Sequence, residues 1–134
     1  MRAGVIGRKA KPSREAQQLY KADVDLAARR AELLATAREA ENRFRQAQAR
    51  HAPDVELRRL AVEFDDALTA AMRAAYAAVR AETGPRGYDD RIYRRKARAK
   101  PRVHALIGEA ERLLTLRETH RLNGIPAVPF EPVT

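Results

Sequence analysis

The side chains of this sequence best suited to chemistry are three histidines, one serine and two pairs of adjacent aspartates. His51, His104 and His120 stand 53 and 16 positions apart on different predicted elements, a spacing that implies no metal site. His51, close to a predicted helix end, reads as a dipole or cap residue. Ser13 is the only serine and has no base near it in the sequence, and the chain has no cysteine, so the usual activated nucleophiles are lacking. Asp65-Asp66 and Asp89-Asp90 resemble paired carboxylates, yet neighbours on a helix point about 100° apart and rarely share one site. Tyr88 and Tyr93 lack the histidine cluster that a tyrosine nucleophile requires. There is no Gly-rich phosphate loop, no HExxH and no CxxC. The expectation is a protein that is not an enzyme and holds neither metal nor cofactor.

The chemistry that remains is charge. The chain carries 27 Lys and Arg against 18 Asp and Glu, a net +9, with a pI near 10.6. Such a balance points first to nucleic acid, then to an anionic membrane surface or an acidic protein. Arg far outnumbers Lys and Ala is abundant, a pattern that a GC-rich genome produces whatever the function, so the distribution of charge has to decide. Residues 1–14 hold Arg2, Arg8, Lys9, Lys11 and Arg14 with no acid, a net +5. Residues 85–102 hold Arg86, Arg91, Arg94, Arg95, Lys96, Arg98, Lys100 and Arg102 against Asp89 and Asp90, a net +6. The remainder has 14 bases and 16 acids. Compositional drift would spread Arg evenly; the excess here sits in two short stretches. Tyr88 and Tyr93 lie among the arginines, where rings are able to stack on bases or sugars.

These residues need elements to hold them. Ala16, Leu19, Leu26, Ala27, Leu33, Leu34, Ala37, Phe44 and Ala47 recur in steps of three, four and seven, which draws one stripe on a helix from Ser13 to about Arg50. Pro53 suits the first turn of a second helix, with Asp54 and Glu56 favoured at its N-terminus. Leu57, Leu60, Ala61, Phe64, Leu68, Ala71, Ala75 and Val79 form its stripe, and Thr83-Gly84-Pro85 is its stop. Asp89 or Asp90 caps a short helix over 89–99 with Tyr88, Ile92 and Ala99 on one side, ended by Pro101. A last helix over 102–122 turns Val103, Leu106, Ala110, Leu113, Leu114 and Arg117 inward and closes at Asn123-Gly124.

At 134 residues the chain has the length of one domain. Aromatics make up 5% of it and much of its hydrophobic fraction is Ala, which favours an elongated helical shape over a globule. The fold expected is all-α: an elongated antiparallel helical hairpin with a short basic helix, a third packing helix and an extended Pro-rich C-terminal tail. Residues 1–12 read as a basic arm, 13–124 as the helical domain with helices over 13–50, 54–83, 89–99 and 102–122, and 125–134 as the tail. No apolar run approaches the roughly 18 residues of a membrane span and the start has no apolar signal core, so a soluble protein of the cytoplasm, or of a virion, is expected.

Two functional readings follow. The first is a non-enzymatic helical protein that binds DNA or RNA through backbone phosphates, using both basic segments together with Tyr93. The second is a structural or assembly subunit that oligomerises through its helical hairpin and docks Ile125, Val128 and Phe130 of its tail on a neighbour. The layout of hairpin, basic arm, basic strip and extended tail resembles small helical bacteriophage assembly proteins, such as small terminase subunits or head-to-tail connectors. That resemblance is of layout and assigns no residue, and the helix-turn-helix of a small terminase is not found here.

Overall fold

The computed structural model describes residues 11–126, which form six α-helices and no strand. They are α1 (Arg14–Ala28), α2 (Arg30–Ala49), α3 (Asp54–Thr83), α4 (Arg86–Asp89), α5 (Arg91–Ala97) and α6 (Pro101–Asn123). Among these residues no helix is long and apolar enough to cross a membrane.

Local chemistry sets most of the boundaries. Ser13 caps α1, its hydroxyl oxygen accepting from the Ala16 N–H at 3.0 Å, with Glu15 in the first turn. The single helix expected over 13–50 is interrupted at Arg29. There the N–H bonds three residues back to Leu26 at 3.0 Å, and the Arg29 carbonyl then accepts from Leu33 at 2.9 Å. One tightened turn breaks the run and the ladder resumes at once; neither Gly nor Pro stands at the break, so sequence pattern gave no warning. At the end of α2, His51 has φ 54, the left-handed conformation, and the Ala52 N–H reaches back to the Ala47 carbonyl at 3.0 Å. This six-to-one closure satisfies an otherwise orphaned helix carbonyl and tucks Ala52 into the core. Gly84, at φ 90, terminates α3, and Pro101 occupies the first turn of α6.

The short helix expected over 89–99 is instead two, α4 and α5, divided at Asp90. That residue is extended and caps α5 by accepting from the Tyr93 N–H at 2.9 Å. Ile92 is 68% exposed and Ala99 is exposed too, so neither shares an inner side with the half-buried Tyr88; the buried face of α5 is that of Ala97.

The core lies among α2, α3 and α6, where Phe44, Leu60, Phe64, Leu68 and Leu113 interlock with Ala37, Ala40, Ala47, Ala61, Ala71, Ala75 and Ala110. Each buried Phe or Leu contributes about 1.5–3 kcal/mol of transfer free energy, whereas each Ala contributes little except permission for helices to approach. His120 is buried within this core, its Nε2 2.7 Å from the Ala61 carbonyl oxygen and its ring packed on Phe44 and Phe64. Nε2 faces an acceptor, so it carries the proton.

Ion pairs and hydrogen bonds fix the register around the core. Arg80 clamps Asp23 at 2.8 and 3.0 Å, Arg121 clamps Asp65 at 2.7 and 3.1 Å, and Arg30 meets Glu109 at 3.1 Å. Arg117, half-buried, donates to the Thr69 hydroxyl at 2.8 Å. These contacts set the last turns of α3 beside α1, its first half beside the end of α6, and the start of α2 beside α6.

Candidate nucleic-acid interface

The basic stretch of residues 86–102 is held by bonds to distant parts of the chain. Asp89 accepts from the Ser13 N–H at 2.6 Å and from its hydroxyl at 2.9 Å. The Tyr88 hydroxyl donates to Asp23, which also receives Arg80. Burial alone would push the Asp23 carboxyl up, but the hydrogen bonds from Arg80 and Tyr88 and the Arg80 charge outweigh it and hold the pKa below 3.8. Burial, and after it the bond to Asp23, pushes the Tyr88 phenol well above its ordinary value, so Tyr88 is a neutral donor at pH 7. Asp90 is held low by the Tyr93 N–H it caps and by Arg86. Gly87 packs so closely on the end of α3 that a Cβ there would come within 2.6 Å of Thr83 Cγ2.

This framework sorts the candidate cations into two groups. Arg86 pairs with Asp90 at 3.2 Å, Arg94 donates to the Gly87 carbonyl at 2.7 Å, and Arg102 pairs with Glu82 at 3.2 Å. They serve the chain's own structure. Arg91, Arg95, Lys96, Arg98 and Lys100 are exposed and make no ion pair among the described residues. Arg91, Arg95 and Arg98, at spacings of four and three, form one stripe along α5 about 10 Å long at 1.5 Å per residue. Tyr93 is half-buried, with the Arg86 guanidinium 4.5 Å and the Lys100 ammonium 5.9 Å from its ring centroid.

The Ser13–Asp89 bonds bring the root of the N-terminal segment to this strip. Lys11 and Pro12 line one cleft, of about 450 Å³, together with Arg86, Asp89, Asp90, Arg91 and Ile92. Lys11 and Arg14 are exposed. Residues 11–14, at the end of the first basic segment, are thus adjacent in space to the strip. Arg2, Arg8 and Lys9 lie outside the described residues, as do Val128 and Phe130. Ile125 is half-buried against the core of its own chain, and the neighbouring Pro126 carbonyl accepts from Arg58 at 3.1 Å, so this first part of the tail is spent within the molecule.

A cleft of about 540 Å³ between α2 and α3 is lined by charges of both signs, in which Arg50 pairs with Glu56 and Arg59 with Glu63. Among the described residues no three His, Asp or Glu converge to hold a metal. Sequence reading missed Asp23, which anchors Tyr88 from 65 residues away. An acid amid an apolar stripe, between Leu19 and Leu26, was the available signal. Comparison with protein-family models, curated proteins and solved structures gives no match for this chain.

Proposed function

We propose that this protein is a non-enzymatic nucleic-acid-binding protein that neutralises backbone phosphates with a short basic strip, Arg91, Arg95, Lys96, Arg98 and Lys100, assisted by the neighbouring Lys11 and Arg14. The observation that carries this reading is local density. On the long helices Arg29, Arg30, Arg45, Arg50, Arg59, Arg80, Arg117 and Arg121 meet carboxylates. The exposed Lys21, Arg38, Arg43, Arg58, Arg73 and Arg112 make no ion pair among the described residues and lie at least five positions apart, whereas residues 91–100 gather Arg91, Arg95, Lys96, Arg98 and Lys100 on one short segment. The strip stays exposed and unpaired among the described residues, on a framework that four long-range hydrogen bonds hold in place. Cations presented in this way and left without carboxylates match a ligand that brings its own negative charge. Phosphate contacts position a protein without reading bases, so sequence specificity is weak. The test is affinity against salt. Log Kd should rise with log[salt] by about 0.9 for each duplex phosphate neutralised, and a flat dependence would sink the proposal.

A second reading, an assembly subunit built on an antiparallel helical hairpin, draws support from a different observation. Val55 at the start of α3 and Leu122 at the end of α6 are 69% and 82% exposed at the same end of the molecule, where Arg58 binds Pro126. A protein neighbour seated at that end would cover both side chains. Light scattering decides the matter for self-association: a monomer at micromolar concentration, with or without residues 125–134, speaks against it.

A further inference from the structure

The rings of the basic stretch are committed to the chain itself. Tyr88 is bound to Asp23 through its hydroxyl and meets Tyr20 edge-on, with centroids 6.3 Å apart and planes at 82°. Tyr93 carries Arg86 and Lys100 over its ring. Elsewhere among the described residues Phe44 and Phe64 are buried in the core, and Tyr76 is half-buried against it. No described Tyr or Phe side chain is exposed. Proteins that hold single strands combine a cationic groove with aromatic faces on which successive bases stack, and each stacked base strengthens binding by about fivefold or more. This strip has the cations and lacks the faces. A duplex needs no such faces, because its bases are already stacked on one another and it presents phosphates at higher and more regular density. A rigid cationic stripe on a helix suits that regular array.

We propose that the ligand of the strip is double-stranded, DNA or RNA, gripped through its phosphates with no base stacked on protein. This rests on the nucleic-acid reading above and narrows it.

The full chain is titrated by fluorescence anisotropy against a short mixed-sequence DNA duplex, the RNA duplex of the same sequence, and the separated strands of each, at low salt. At least one duplex should bind about tenfold tighter than its own strands, reflecting the difference in phosphate density. The protein has no Trp, so its intrinsic emission is that of tyrosine, and duplex binding should leave that emission unchanged. Single strands bound as tightly as duplexes, or tyrosine quenching on binding, would each overturn the inference and leave phosphate binding standing. Failure of every polymer to bind would instead bring down the proposed function.

Discussion

Ser13 and Asp89, 76 positions apart, share a three-part hydrogen-bond relay. The Asp89 carboxylate accepts from both the N–H and the hydroxyl of Ser13, and the same hydroxyl oxygen accepts from Ala16. One side chain therefore caps a helix and ties the N-terminal basic segment to the basic strip.

Loss of the relay should be felt twice. Ser13→Ala leaves the Ala16 N–H without its cap and is expected to cost about 1 kcal/mol in urea denaturation. Asp89→Ala should cost a similar amount, and the double variant less than the sum of the two. Strict additivity would mean that the two residues are uncoupled.

Arginines a single residue apart should behave in opposite ways. Arg94→Ala removes the donor to the Gly87 carbonyl and should destabilise the protein by about 1 kcal/mol. Arg95→Ala should change stability by less than about 0.5 kcal/mol. It should also lower the slope of log Kd against log[salt] on duplex by about 0.9. Reversal of that pattern would show that the strip has been assigned to the wrong side chains.

Acid should loosen the fold through Asp23 and Asp65. Arg121's hydrogen bond, outweighing desolvation, holds the Asp65 pKa below 3.8, and Asp23 is held below it by Arg80 and Tyr88. A carboxylate whose folded pKa is depressed contributes stability that is complete above the unfolded value. That contribution disappears as pH falls from the unfolded value of 3.8 through the lower folded one. Thermal melts should accordingly be insensitive to pH down to about 5 and fall below it, and Asp65→Asn should flatten part of that fall. An identical acid decline in Asp65→Asn would remove this clamp from the explanation.

Two packing substitutions probe the framework directly. Phe64→Ala opens the centre of the core and should cost about 3–5 kcal/mol. Gly87→Ala forces a methyl against Thr83, whose hydroxyl is already donating to the Val79 carbonyl at 3.0 Å, and should cost about 1–3 kcal/mol. A neutral Gly87→Ala, measured by denaturation, would mean that α4 shifts freely on α3.

The all-helical character is written locally, in apolar stripes, in Pro53 before α3 and Asp54 at its first position, and in Gly84 after it. Every boundary that depends on a near neighbour can be read from such signals. Features that depend on distant partners cannot. Arg29 interrupts a helix without any breaker residue, whereas Asp90 is legible as a cap because the N–H it accepts from, that of Tyr93, is only three residues on. His120, as a single residue in a polar stretch, gives no hint of a place between two phenylalanines. The basic strip was visible as charge, but only tertiary contacts separate Arg86, Arg94 and Arg102, which meet partners on the chain, from the five residues that do not. Ile92 shows the same limit, since its side of the helix is set by Ala97 and by the bonds that orient α5.

The alanines that line the helices, Ala61, Ala71, Ala74, Ala75, Ala77 and Ala110 at 1% exposure or less, invert the usual map of mutational sensitivity. At these sites the methyl group is the gap between two helices, so an added carbon pushes the backbones apart instead of filling space. A saturation scan would find the smallest buried side chains the least forgiving of growth. Glycine and serine are their nearest neighbours in sequence space, and valine or leucine lie across a barrier.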